Sequence, residues 1–290
     1  MSILCVVGEV SRSGYYKYLE GTLKQPVDGA LISQIEKVQE EVRFSYGAKR
    51  MAKYLSMVDQ APVNHKRVAR VMGENTLNAR IRKKIHPEYC YRQKRQGFKI
   101  TDLRLAPNVL NREFSSSAPV RRLVTDITVI SCSDGWLYLS AVMDLYNHEI
   151  LTHQFSKDVT TSLVVRTIRD LAAKFDVAGI LLHSDKGPTY RSYEYQNLLT
   201  SLNISPSFSR TGNCWDNAAM ESFFGHLKCE LGYAAKTEAK PTSSKAKLDI
   251  TKYLGFFNES RIQKKLGFMS PVQYRERGML QSGSRMAVHQ

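Results

Sequence analysis

Apolar residues recur at helical spacing through the first eighty positions. Residues 11–16 can turn into a short helix, and 25–29 can end that segment. Over 30–44, Leu31, Ile35, Val38 and Val42 fall on one helical face. Gly47 breaks the pattern, and 48–58 resumes it with Met51, Tyr54, Leu55 and Val58. Asn64 is placed to cap a further helix over 65–74. That helix would bury Val68, Val71 and Met72 and present Lys66, Arg67 and Arg70. Two short helices joined by a turn, the second one basic, make a helix-turn-helix-like DNA-binding pattern. A small structural bundle with a solvated basic face fits the same residues.

Beyond Pro119 the period changes from helical to alternating. Strands are expected over 120–130, 136–146 and 149–155, joined by turns at Asp134-Gly135 and Asn147-His148. Such tight connections imply an antiparallel meander. An amphipathic helix follows over 161–175, burying Leu163, Val164, Ile168, Leu171 and Ala172. A short strand over 179–183, a helix over 193–202, a strand over 204–208 and a helix over 216–231 complete the series. The order β-β-β-α-β-α-β-α predicts an α/β sheet with helices on its faces. Residues 234–247 read as a polar loop, 247–258 and 271–277 as helices, and 281–290 as a tail.

These changes divide the 290 residues into an N-terminal helix and linker over 1–28 and a helical domain over 29–78. A basic linker over 79–117, an α/β core over 118–233 and a basic C-terminal region over 234–290 follow. The formal net charge is +15, and it is distributed unevenly. Residues 1–110 carry +10, 111–230 carry −2 and 231–290 carry +7. Basic flanks around an acid-enriched centre suit a metal-dependent enzyme acting on nucleic acid, with carboxylates for the cation and cations for the phosphates. The stretch 80–99 holds Arg82, Lys83, Lys84, Lys94 and Arg95 among tyrosines, a composition suited to tracking a phosphate backbone and equally to a solvated linker.

No apolar run is long enough to span a membrane, and none at the N-terminus resembles an export signal. The five cysteines form no Cys-x-x-Cys pair, which argues against a disulfide framework or zinc finger and suits a reducing cytoplasm.

Asp126 interrupts a Val/Ile/Thr strand, where an uncompensated charge is costly. Asp185 follows the apolar run Ile180-Leu181-Leu182, at the carboxyl end of a strand where α/β sites form. Glu221 lies one turn into a helix whose buried stripe is Met220, Phe223, Phe224 and Leu227. Carboxylates converging from two strands and a helix can hold the paired divalent cations of in-line phosphoryl transfer. Each one alone reads equally well as an edge or capping residue. Lys228, two helical turns after Glu221, shares its face and could lie beside a DNA backbone or simply face solvent. His183 could orient the site or cap its strand.

The stretch 209–218, reading Ser-Arg-Thr-Gly-Asn-Cys-Trp-Asp-Asn-Ala, resembles the signature of insertion-sequence transposases with a retroviral-integrase-like core. The resemblance continues through Glu221-Ser222-Phe223-Phe224 to Leu227-Lys228. Thr125-Asp126-Ile127-Thr128 and His183-Ser184-Asp185 with Gly187 are similar to the other two signatures, and 35 residues separate Asp185 from Glu221. Residues 46–50 and 64–72 resemble the helical module before the core, and Phe257-Asn258 and Ser270-Pro271 the C-terminal pattern. The chain departs from the family pattern at Leu123, Thr189, Ile262 and Gln263.

The resemblance implies a second-reading-frame DDE transposase with an RNase H-like fold: a five-stranded mixed sheet with flanking helices behind a helix-turn-helix-like domain. Asp126, Asp185 and Glu221 would be catalytic and would bind two Mg²⁺ or Mn²⁺ ions. Water, then a DNA 3′-hydroxyl, would attack a phosphodiester without a covalent protein intermediate. Lys66, Arg67, Arg70, Arg82, Lys83, Lys84, Lys94, Arg95 and Lys228 are the expected DNA contacts. The expected partners are terminal inverted repeats, target DNA, further copies of the chain on DNA and an upstream-frame segment. The expected location is the bacterial cytoplasm, at the nucleoid. The rival readings are an RNase H-like nuclease and a non-catalytic DNA-binding regulator.

Overall fold

A computed structural model describes residues 5, 7–23, 28–80, 106–210, 214–234 and 240–282. The chain divides into two compact units, one of residues 1–41 and 46–78, the other of 42–45 and 79–290.

The first unit is helical. Its elements are α1 (Arg12–Leu23), α2 (Gly29–Glu41), α3 (Ala48–Val58) and α4 (His65–Glu74). Ile35, Val38, Met51, Leu55, Val68, Val71 and Met72 form the buried apolar stripes. The spacing forecasts α3 and α4 to the residue, whereas α2 stops at Glu41, three residues short of the expected end. Asn64 caps α4 as expected, accepting the Lys66 N–H at 2.9 Å. Ser56 tightens the α3–α4 connection by donating to the Ala52 carbonyl at 2.7 Å and accepting the Val63 N–H at 2.9 Å. The buried Gln39 amide donates to the carbonyls of Tyr46 and Leu77, satisfying two loop groups that the apolar core cannot serve.

The second unit begins with β1 (Arg122–Cys132), β2 (Gly135–Asp144) and β3 (Ile150–Ser156). Then come α5 (Thr161–Lys174), β4 (Leu181–Ser184), α6 (Tyr193–Ser201) and β5 (Ser205–Phe208). A short 3₁₀ turn (Cys214–Asn217) leads into α7 (Ala218–Glu230), followed by α8 (Ser243–Glu259) and α9 (Pro271–Ser282). The sheet order is β3-β2-β1-β4-β5. The first three strands form the antiparallel meander, and β4 and β5 run parallel to β1. This is the five-stranded mixed sheet of an RNase H-like core.

Alternation along β1 sends Val124, Ile130 and Cys132 to one core with Phe223, Phe224 and Leu227 of α7 and Tyr253 and Phe257 of α8. Leu123 goes to the opposite core with Val164, Ile168 and Leu171 of α5 and Tyr195 and Leu199 of α6. Leu123, a departure from the family pattern, is thus fully buried packing.

Two expectations are corrected. Ser243 and Ser244 are not loop: α8 starts there, capped by Thr242, whose hydroxyl accepts the Lys245 N–H at 3.3 Å. The helix expected over 216–231 opens instead with the 3₁₀ turn and becomes α-helical only at Ala218. The C-terminal motif also has a local explanation. Asn258 donates to the Ile150 carbonyl and accepts its N–H, both at 2.9 Å, completing the edge of β3. Ser270 and Gln273 form a reciprocal capping box at the start of α9, with Pro271 in its first turn.

Candidate active site

The site grows from strand register. β1 and β4 are parallel, with Val124 opposite His183. Two residues further along each chain lie Asp126 and Asp185. The step of two keeps Asp126 on the face of Val124, which α7 covers; Asp185 stands one residue past the end of β4, near enough for its charge to act on Asp126, and α7 carries Glu221.

The electrostatics agree with this placement. The Asp126 carboxyl is pushed up to about 8, first by burial and then by the Asp185 charge, with Glu221 adding to the rise and Lys228 opposing it. The Ile127 N–H, donating to Asp126 Oδ1 at 2.8 Å, also favours its ionised form. Burial also raises the Asp185 carboxyl. Asp185 Oδ1 accepts the Gly187 N–H at 2.8 Å, and a Cβ on Gly187 would lie 2.9 Å from that oxygen. Glycine therefore lets the turn close over the carboxylate. Glu221 is exposed, and Lys228, two turns on, is half-buried.

The chemistry of the donor set fits a hard divalent cation. The charges of Asp185 and Glu221 both act against that of Asp126, and a cation relieves such repulsion. Among the described residues, no three His, Cys, Asp or Glu side chains already stand close enough to chelate an ion together. The fit lies in donor type and mutual repulsion.

His183 lies two residues before Asp185. It is fully buried, with Nδ1 2.8 Å from Ser207 Oγ and Nε2 3.0 Å from Ser209 Oγ. Ser207 Oγ already accepts the N–H groups of Val109 and Leu110, so it donates to Nδ1. That assigns the proton to Nε2, and burial holds the imidazole neutral by lowering its pKa to about 4. The ring ties β4 to β5 immediately before Asp185.

Sequence reasoning passed over Asp216. Its fully buried carboxylate accepts from Asn108 Nδ2, Arg112 Nε and the backbone N, Nε and Nη2 of Arg210, all at 2.8–2.9 Å. The Arg210 hydrogen bonds, foremost, hold it far below the usual carboxylate range. This knot fixes the 3₁₀ turn that launches α7, and so fixes where Glu221 starts. Asn217 adds a bond from its amide to the Thr125 carbonyl at 3.4 Å, one residue from Asp126. The signal was present, because both residues lie in the Trp215-Asp216-Asn217 signature. Arg210 is six residues from Asp216, but Asn108, Arg112 and Thr125 lie 92–108 residues from the residues they bond.

Of the expected DNA contacts, Lys228 adjoins the carboxylates. Lys66, Arg67 and Arg70 sit on α4 of the other unit. Arg82, Lys83, Lys84, Lys94 and Arg95 lie outside the described residues. No helix among the described residues is long and apolar enough to cross a membrane.

Comparison with known proteins gives a consistent pattern. Residues 116–214 and 221–279 match two models described as integrase core domains, and 26–84 match an HTH-like domain. The chain is 36% identical over 217 residues to an uncharacterized transposase-like protein of Haemophilus influenzae, covering 75% of this chain and 95% of that one. It is 35% identical over 268 residues to the putative transposase InsK for insertion sequence element IS150 of Escherichia coli, covering 92% and 90%. Among solved structures it is similar to the HTLV-2 integrase catalytic core domain in complex with magnesium, at 18% identity and a TM-score of 0.41, over 55% of this chain and 98% of that one.

Proposed function

The chain belongs to the insertion-sequence DDE transposases, polynucleotidyl transferases with an integrase core, and from that premise we propose that Asp126, Asp185 and Glu221 are its catalytic carboxylates. The reading is carried by Asp126 on the face that α7 covers, with the Asp185 charge acting on it from just past the end of the neighbouring parallel strand β4. The three residues would hold two Mg²⁺ or Mn²⁺ ions. When bound, the cations supply Lewis acidity toward the phosphodiester and compensate the carboxylate charges.

This chain's own residues do the rest. Gly187 and the His183–Ser207–Ser209 chain hold Asp185 in place. Asp216 and Asn217 hold the start of α7, and Lys228 offers a cation to the DNA backbone beside Glu221. Water attacks the phosphodiester at the element end and leaves a 3′-hydroxyl. That hydroxyl then attacks a target phosphodiester, forming one phosphodiester bond as another breaks and releasing a target 3′-hydroxyl. No bond to the protein forms.

The remaining parts of the reading follow the same division. The helical domain over 29–78 and the basic segment over 79–117 bind the terminal repeats, and the core over 118–233 binds the scissile strand. Several copies assemble on DNA at the bacterial nucleoid, joined by an upstream-frame segment.

The test is Mn²⁺-dependent nicking and joining of labelled DNA carrying the repeats that flank the gene, with Glu221→Gln run beside the parent. Cleavage and joined products from the parent and none from Glu221→Gln are expected. Equal cleavage by both proteins overturns the assignment. Cleavage without joining favours a nuclease.

A further inference from the structure

In the helical unit, the Asp28 side chain is 4% exposed and receives two arginines from one face of α4. Arg67 donates Nε to Oδ1 at 2.8 Å and Nη2 to the same oxygen, while Arg70 donates Nη2 to Oδ2. Arg70 also donates Nη1 to Glu74 Oε2 at 2.8 Å. The guanidinium-bearing side chains of Arg67 and Arg70 nonetheless remain 52% and 42% exposed.

Two arginines and two carboxylates sum to zero charge. Such a cluster offers little to a phosphate backbone, whose binding scales with the positive charge brought to it. What it offers is geometry. Asp28 occupies the Nε–Nη2 edge of Arg67, so the Nη1–Nη2 end keeps donors for an outside partner. A guanidinium held in this way has already lost the rotamer freedom that it would otherwise lose on binding. Arg70, by contrast, is engaged by carboxylates at both terminal nitrogens.

We propose that Asp28 is a positioning residue that presets Arg67 to read a base edge in the major groove, with guanine the matching base because its O6 and N7 accept a guanidinium fork. Arg70 braces the pair rather than contacting DNA, and the exposed Lys66 beside them contacts phosphate. The inference rests on the reading that α4 faces DNA.

Fluorescence anisotropy on the full chain tests it, across a salt series. One duplex carries the terminal repeat from the DNA flanking the gene, and the other is a scramble of it. The parent is expected to prefer the repeat. Arg67→Lys keeps the charge and loses the fork, so it should lower that preference about tenfold or more and leave the salt slope unchanged. Asp28→Asn should lower the preference and also tighten binding to the scramble, because it unmasks positive charge. Lys66→Ala should weaken both duplexes alike and flatten the salt slope.

Full preference retained by Arg67→Lys, with Lys66→Ala still weakening both duplexes, overturns the proposal and leaves the DNA-facing reading of α4 standing. No change in either variant on either duplex overturns that reading and the proposal together. Arg67→Lys keeps the test decisive should Asp28→Asn fail to fold.

Discussion

Asp126 is the residue on which stability and the proposed chemistry oppose each other. Its ordinary carboxyl value is 3.8, and in the fold it is pushed up to about 8. The folded protein therefore holds this proton more tightly than the unfolded chain does. Its favourable contribution is complete below about pH 4 and is lost as the pH rises toward 8. In EDTA at pH 7.5, Asp126→Asn should raise the melting temperature by roughly 3 °C or more, and at pH 4 it should change little. A thermal melt at the two pH values checks this; equal or lower stability at pH 7.5 would show that the carboxyl is not strained there. The same substitution should abolish cleavage. A carboxylate retained at a cost in stability is what a site poised for a cation requires. This much was legible in the sequence, since a lone Asp in a Val/Ile/Thr strand is conspicuous. Its closeness to Asp185 was not, because pairing register is a property of two strands 59 residues apart in the chain.

At the scale of elements, the decisive piece is the 3₁₀ turn ahead of α7. Asp216 locks it to the segment containing Asn108 and Arg112 and to Arg210. Its folded pKa is lowered, so it stabilises the fold above the ordinary carboxylate value, and that contribution is lost as the pH falls below it. Asp216→Asn should lower cleavage on the order of a hundredfold through misplacement of Glu221. It should also remove part of the parent's acid-side fall in melting temperature. Unchanged cleavage would mean that the turn does not set the helix. The periodic elements were predictable because burial imposes a local rhythm, as in α3 and α4. The 3₁₀ turn carries no rhythm, and its bonds to Asn108, Arg112 and Thr125 are long-range. The start of α8 was obscured for a related reason. Ser243 and Ser244 look like loop residues, yet they form a first turn closed by Thr242 and by Asp134, which accepts the Ser243 hydroxyl at 2.5 Å.

For the whole molecule, the +15 charge should govern association, and the proposed catalytic carboxylates the chemistry. Affinity for a sequence-scrambled duplex should fall on the order of a thousandfold between about 50 and 200 mM salt if six or more phosphates are neutralised. A titration by anisotropy measures the slope, and a flat slope would contradict a phosphate-led encounter. EDTA should stop cleavage and leave this binding in place.

The amino-acid sequence by itself determined the α/β class, the order of the strands and helices, and the three signature carboxylates. Those are carried by local periodicity and by motifs a few residues long. Tertiary structure alone decided what stands beside what. It set Asp126 against Asp185, brought Asn108 and Arg112 onto Asp216, and turned Arg67 and Arg70 onto Asp28 from 39 and 42 residues away. Contacts of that kind depend on chain closure and strand register, which leave no periodic trace in the sequence.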